Sequence, residues 1–334
     1  MKYVKRLFLF FFCLAQSCTA QTSKINGVSF VASRIPVTEE HINPVVSVNA
    51  NYAAIMPFGF IKDLKNPEII HNTERQWYGE TRAGAKQYAE SLKAKGIKIM
   101  LKPQIWVSHG EFTGYIKMDT EAHWKTLEDS YSVFILEYAD LAQEIKAESF
   151  CIGTELEQFV ENRPGYWTKL ITNVKKIYKG KLTYAANWDE YKRTPFWSTL
   201  DYIGIDAYFP VSNSKTPTVA ECLEGWKTHK VAIKDVSDRY KKPVVFTEFG
   251  YRSVDFTGKE PWKFDRSMTN VNLEAQTNTT KALFETFWKE DWFAGGFVWK
   301  WFHDHQSSGG QSNSQFTPQN KPVEKVIKDY YILN

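Results

Sequence analysis

Cysteine is scarce in this chain of 334 residues, and no charge of either sign dominates it. Cys13 and Cys18 fall in the first turns of the chain, which leaves Cys151 in an expected strand and Cys222 in a helical stretch. Two such thiols make no disulfide framework, and a disulfide-stapled fold is excluded. The formal net charge of +4 falls to about +1 once Lys2, Lys5 and Arg6 are set aside as part of a leader. A near-neutral protein offers nucleic acid no electrostatic footprint. Apart from residues 7–15, no apolar run approaches the roughly 20 residues that a membrane-spanning helix needs, so no integral membrane segment is expected. Also missing are a Pro/Ser-rich linker and any shift in composition, so residues 21–334 read as one domain. Aromatic side chains, by contrast, are plentiful at 16%, with 12 Trp, more than core filling requires. Rings that stack on something flat and polar are therefore expected on the surface.

Residues 1–20 have the layout of a signal peptide: a basic start, the apolar run Leu7 to Ala15, and small or polar residues ending at Ala20. A secreted or periplasmic protein follows. Cys18, within Ala15-Gln16-Ser17-Cys18, also resembles a bacterial lipobox with Ala15 where Leu is usual, and the alternative is a lipoprotein anchored to a membrane through Cys18.

Beyond the leader, short apolar or β-branched runs alternate with longer amphipathic stretches, the pattern of an α/β fold. Strands are expected at Asn26 to Ala32, Val46 to Met56, Ile97 to Val107, Ser149 to Gly153, Lys181 to Ala186, Asp201 to Ala207, Pro243 to Thr247 and Ala294 to Trp299. Helices are expected at Gly79 to Lys95, Thr120 to Ala147, Pro164 to Lys179, Val219 to Tyr240 and Glu274 to Glu290, two of them stopped by Gly96 and Gly180. Eight strands separated by helices fit a single (β/α)8 barrel. A doubly wound open sheet is the rival fold, and it lacks its Gly-x-Gly-x-x-Gly turn after the first strand. The long loops Gly250 to Leu273 and Phe302 to Lys321 both follow strands, and in a barrel both rise on the face where active sites are built.

Two glutamates end apolar strands. Glu155 follows Phe150-Cys151-Ile152-Gly153-Thr154, just past the fourth strand, and Glu248 follows Val244-Val245-Phe246-Thr247 at the tip of the seventh. An ionised carboxylate beside a buried strand is costly unless it is paired or used. Strands four and seven lie on opposing arcs of a barrel, so the two carboxyls can face each other across its mouth. Glycoside hydrolysis needs that arrangement, one carboxyl protonating the leaving oxygen and the other attacking the anomeric carbon or activating water. The plainer reading pairs each glutamate with a neighbouring cation such as Arg252. Glu157 competes with Glu155 for the acid role, although it falls where a loop or helix begins.

With these motifs the chain resembles the clan of retaining (β/α)8 glycoside hydrolases, and Gly153-Thr154-Glu155 together with Thr247-Glu248-Phe249-Gly250-Tyr251-Arg252-Ser253 is most similar to glycoside hydrolase family 113, known for endo-β-1,4-mannanases. The resemblance implies Glu155 as acid/base, Glu248 as nucleophile, mannan or glucomannan as substrate, and no metal or organic cofactor. Thr154 departs from the pattern. Many clan members carry Asn there, whose amide contacts the sugar 2-hydroxyl, and the shorter Thr leaves that contact unassigned. The resemblance also implies Trp299, at the end of strand eight, as the floor of the subsite holding the cleaved sugar.

Position supplies the other binding candidates. Tyr208, ending strand six, neighbours Glu248 and can hold it by a hydrogen bond. Trp301 shares a face with Trp299 if strand alternation continues. Trp106 and Trp188 are expected sugar platforms with core packing as the alternative, His109 and Asn187 can bond hydroxyls, and Trp262 can extend the cleft. No Gly-x-Ser-x-Gly elbow supports a serine hydrolase. His303-Asp304-His305 lacks the spacing and partners of a metal site, and no metal ligands are expected. Two alternatives stay open, a relative acting on another β-glycan and a catalytically silent glycan-binding protein.

Overall fold

The computed structural model describes residues 23–263 and 270–333; the leader and Cys18 lie outside the described residues. In chain order the strands and helices are β1 (Ile25–Phe30), α1 (Glu39–Ser47), β2 (Tyr52–Ile55), β3 (Phe58–Ile61), α2 (Arg82–Ala94), β4 (Lys98–Leu101), β5 (Gln104–Val107), α3 (Glu121–Glu144), β6 (Ser149–Thr154), α4 (Glu157–Asn162), α5 (Pro164–Ile177), β7 (Lys181–Asn187), β8 (Ile203–Asp206), α6 (Val219–Tyr240), β9 (Val244–Phe249), α7 (Leu273–Phe287), β10 (Phe293–Trp301) and α8 (Pro322–Leu333). All strands but β3 and β5 close into one parallel barrel in the order β1-β10-β9-β8-β7-β6-β4-β2. The fold is a (β/α)8 barrel. No helix among the described residues is long and apolar enough to cross a membrane.

One expected strand came out divided and another shortened. The stretch Ile97 to Val107 is β4 and β5 with Pro103 between them, whereas Val46 to Met56 begins as the end of α1 and holds only β2, and β3, which was not expected, follows Pro57. Proline has no N–H to give a ladder, so the barrel pairing ends at each one. Beyond them β3 and β5 pair with each other, extending the barrel wall upward on one side. A second departure lies between β7 and β8, where a single 3-10 turn, Trp197–Thr199, stands in place of a helix. Helix starts follow local chemistry. Thr218 and Glu221 form a reciprocal cap on α6, and the side chains of Thr81, Thr120 and Asn272 cap α2, α3 and α7.

Alternation along the strands sorts side chains into two cores. Ile25, Ala54, Met100, Val245 and Phe297 fill the barrel interior, while a larger cluster, including Ile99, Phe246, Val298 and Trp301, lies between strands and helices. The Phe297 ring leans over its register partner Gly27 on the neighbouring strand, where an added side chain would meet it at 2.3 Å. This apolar plug forms the base on which the polar groups of the barrel mouth sit.

Candidate active site

Each group at the mouth is placed by the period of its strand. Met100, Lys102 and Gln104 alternate onto the inner face, as do Asp206 and Tyr208 two residues apart. On β9 the register slips, because Ile205 and Asp206 pair with Phe246 and Glu248, so Thr247 is extra. A bulge of this kind re-aims neighbouring side chains. Both Thr247 and Glu248 consequently bond inward, Thr247 donating to Asp206 at 2.7 Å and Glu248 taking its donors from three elements.

Glu248 is firmly held. Lys102 Nζ donates to its Oε1 at 2.5 Å, Gln104 Nε2 to the same oxygen at 3.0 Å, and Tyr208 Oη to Oε2 at 2.7 Å. Lys102 also reaches Asp206 at 3.2 Å, and all three charged groups are buried. Burial works against the Lys102 charge, but Asp206 and Glu248 outweigh it and raise its pKa. Burial and the charge of Glu248 push the Asp206 carboxyl up. The Tyr208 hydroxyl goes the same way, from burial first and then from Glu248, which keeps it a donor.

Glu155 has the opposite surroundings. No donor among the described residues bonds its carboxyl, and its pKa lies well above the ordinary value, through burial first and then the charges of Asp206 and Glu248, with Lys102 opposing. Its backbone is left-handed, with φ 50°. One carboxyl is thus supplied with hydrogen-bond donors and the other biased toward its neutral form, the division of labour expected of a nucleophile and an acid.

The remaining sequence candidates separate. Trp106 and His109 stand exposed at the end of β5, Asn187 and Trp188 end β7 half-buried, and Trp262 is exposed in the loop after β9. Trp188 and Trp262 stack on each other, with ring centroids 4.8 Å apart and planes at 20°. Trp299 is half-buried, and the Lys300 ammonium lies 5.4 Å from its ring centroid. Trp301 must be corrected: it is fully buried in the layer between strands and helices and cannot present a face to a sugar. β10 carries an extra residue between Val298 and Trp301 relative to β1, so the alternation assumed for the pair is broken. Glu157 opens α4 and pairs with Arg193, and Arg252 donates to the Ser314 carbonyl rather than to Glu248. His305 pairs with Glu324 while His303 packs edge-on against His41. Among the described residues no cluster of His, Cys, Asp or Glu could hold a metal ion.

Lys102, Gln104, Asp206, Glu190 and Lys300 were not singled out by sequence reasoning. Lys102 and Asp206 carried a usable signal, since each is a charge following an apolar strand run, as Glu155 and Glu248 are.

A (β/α)8 barrel with such a carboxyl pair at its mouth places the protein in the class of barrel glycoside hydrolases. The model of Glycoside Hydrolase Family 113 matches residues 34–321, and the chain belongs to that family. No curated protein matches the chain by sequence. Among solved structures it is similar to the GH113 β-mannanase AaManA of Alicyclobacillus acidocaldarius in complex with ManMIm, with TM-score 0.81 and 23% identity over 93% of this chain and 98% of that one. A second GH113 β-1,4-mannanase structure gives TM-score 0.80 and 24% identity over 93% of this chain and 100% of the other. A β-glucuronidase of Faecalibacterium prausnitzii shares the fold at TM-score 0.60 and 14% identity, over 93% of this chain and 49% of that one.

Proposed function

We propose that the protein is an exported, retaining endo-β-1,4-mannanase that cleaves mannan or glucomannan by double displacement, with Glu248 as nucleophile and Glu155 as acid/base. The observation that carries this reading is the contrast between the two carboxyls, three donors on Glu248 and none on a protonation-biased Glu155. Oε1 of Glu248 accepts two hydrogen bonds and Oε2 only one, from Tyr208, so Oε2 keeps a lone pair for the anomeric carbon. As that C–O bond forms, the glycosidic C–O bond breaks and the Glu155 proton goes to the departing oxygen. Glu155, now ionised, takes a proton from water, whose oxygen displaces Glu248 and frees the sugar. Esterification of Glu248 removes one of the charges that raise the Glu155 pKa, so the same residue can act as acid first and base second.

Mannan as substrate is supported by family membership and by the β-mannanases among the similar structures. Action within a polymer is supported by where the exposed rings lie. Trp77, Trp106, Tyr115, Phe256 and Trp262 are the exposed Trp, Tyr and Phe side chains among the described residues; Trp106 lies in β5, which continues the barrel wall beyond β4, and the others follow the C-terminal ends of β3, β5 and β9. Rings distributed over one face suit a chain of sugars better than a single terminal unit.

The test is release of reducing ends from unsubstituted mannan, glucomannan, β-glucan and xylan by the protein from Gln21 onward. Cleavage of the two mannans is expected, with Glu155→Gln and Glu248→Gln each slower by at least ~100-fold. Preferential cleavage of xylan or β-glucan would replace mannan as the substrate. A folded protein that leaves all four intact would remove the enzymatic reading in favour of glycan binding.

A further inference from the structure

Behind the acid/base lies a buried carboxyl group that the mechanism above does not use. Glu190 sits in the turn after β7, is 1% exposed, and accepts a hydrogen bond on each oxygen, from the Asn187 N–H at 3.0 Å and the Tyr184 hydroxyl at 2.7 Å. The Tyr184 oxygen in turn accepts the N–H of Leu156, at 2.6 Å. Leu156 directly follows Glu155 and is itself buried. A relay of three hydrogen bonds therefore runs from the peptide of the acid/base to the turn carrying Asn187 and Trp188.

This relay acts at a backbone position that resists being held. The left-handed conformation of Glu155 is one that a non-glycine residue adopts only at an energetic cost. Two other bonds restrain it, the Glu155 N–H to the Ala185 carbonyl at 2.8 Å and the Thr113 hydroxyl to the Glu155 carbonyl at 3.1 Å. The second holds the carbonyl end of the peptide that follows Glu155 and leaves the N–H end of that planar unit to another partner. That group is Leu156 N–H, and Tyr184 is its acceptor. Glu190 keeps the phenol turned so that its oxygen faces Leu156, because the hydroxyl hydrogen is engaged by the Glu190 carboxyl oxygen.

We infer that Glu190, acting through Tyr184, is a positioning residue for the acid/base, aiming the Glu155 carboxyl at the leaving oxygen and tying it to the Asn187–Trp188 wall of the cleft. The inference rests on the role proposed for Glu155. Glu190 touches no reacting atom, and its effect must appear as a defect in proton donation.

That defect can be read from the leaving group. An aryl glycoside of an acidic phenol such as 2,4-dinitrophenol departs without a proton, whereas one of an unactivated phenol needs the acid. With aryl β-mannobiosides, or the matching glycosides of whichever β-glycan the enzyme cleaves, Tyr184→Phe should lower kcat/KM about tenfold for the unactivated phenol and less than about twofold for dinitrophenol. Phe retains the ring contacts of Tyr184 with Trp167 and Phe196, so the fold should survive. Glu190→Gln, which keeps the side-chain size and can satisfy only one of the two donors, should show the same split more weakly. Equal losses on both substrates, or none in either variant, would overturn the relay. Glu155→Gln, run alongside, separates the two claims. If it shows the leaving-group dependence while Tyr184→Phe does not, the relay alone fails; if Glu155→Gln shows none, the acid assignment fails first.

Discussion

Lys102 is the residue on which the other charges of the barrel mouth depend, since it is the cation bonded to both Asp206 and Glu248 in a fully buried trio. Removing one member of a buried ion pair leaves an uncompensated charge, at a cost of about 3–5 kcal/mol. Lys102→Met should lose that much stability near neutral pH by urea unfolding, and Lys102→Met/Asp206→Asn should recover part of it by removing one of the two stranded carboxylates. The loss should also shrink toward acidic pH, where the Asp206 carboxyl, already pushed up by burial and the charge of Glu248, can bind a proton in place of the missing cation. A single variant within 1 kcal/mol of wild type would mean that Lys102 is not needed as a charge. Glu155 and Glu248 were legible in the sequence because each is an ionisable group at the end of an apolar run. Lys102 has the same context, yet a lysine before a proline also reads as ordinary punctuation at a strand end. Glu190 was hidden in the polar stretch Asn187-Trp188-Asp189-Glu190, where nothing in the sequence separates a buried carboxylate from a solvated one.

At the scale of elements, irregularity decides which side chains face substrate. The bulge in β9 turns Thr247 and Glu248 to the same side, and the extra residue in β10 sends Trp301 into the outer layer. Periodicity in the sequence located the strands within a few residues, because buried parallel strands are continuous apolar runs. It could not register a one-residue bulge, which leaves composition unchanged while reversing inside and outside. The division of Ile97 to Val107 was missed because only Pro103 marks the break between β4 and β5, and β3, the four residues after Pro57, was not read as a strand at all. The paired rings of Trp188 and Trp262 join the end of β7 to the loop after β9. If they form a sugar platform, Trp188→Ala and Trp262→Ala should each raise KM for long manno-oligosaccharides several-fold, about 1 kcal/mol of lost stacking, while leaving kcat within about twofold. An unchanged KM across chain lengths would remove the pair from the substrate path.

For the whole molecule, the mouth of the barrel joins function to stability through protonation. Residues 250–263 and 302–321 bond to each other beside it. There Ser253 donates to the Asn313 carbonyl, Lys321 to Ser253 and the Gln315 carbonyl, and Phe316 packs against the ring of Tyr208. At the barrel mouth the Glu155 carboxyl is held neutral well beyond its ordinary range, by burial and then by neighbouring negative charge. Unfolded, the same carboxyl ionises near pH ~4.3. Below that value both states are protonated and Glu155 makes stability no different. As pH rises, the unfolded chain releases its proton while the folded chain keeps it, so unfolding becomes progressively easier until the pH passes the folded pKa. Glu190, raised to about 8 mainly by burial, adds to the same trend. Gln at position 155 does not titrate, and Glu155→Gln should therefore melt at nearly the wild-type temperature at pH 4 and on the order of 2–4 °C above it at pH 8. Scanning calorimetry of both proteins across that interval makes the comparison. A gap that stays constant would mean that Glu155 ionises as an ordinary glutamate, and a carboxyl ionised at neutral pH could not supply the proton that the leaving sugar requires.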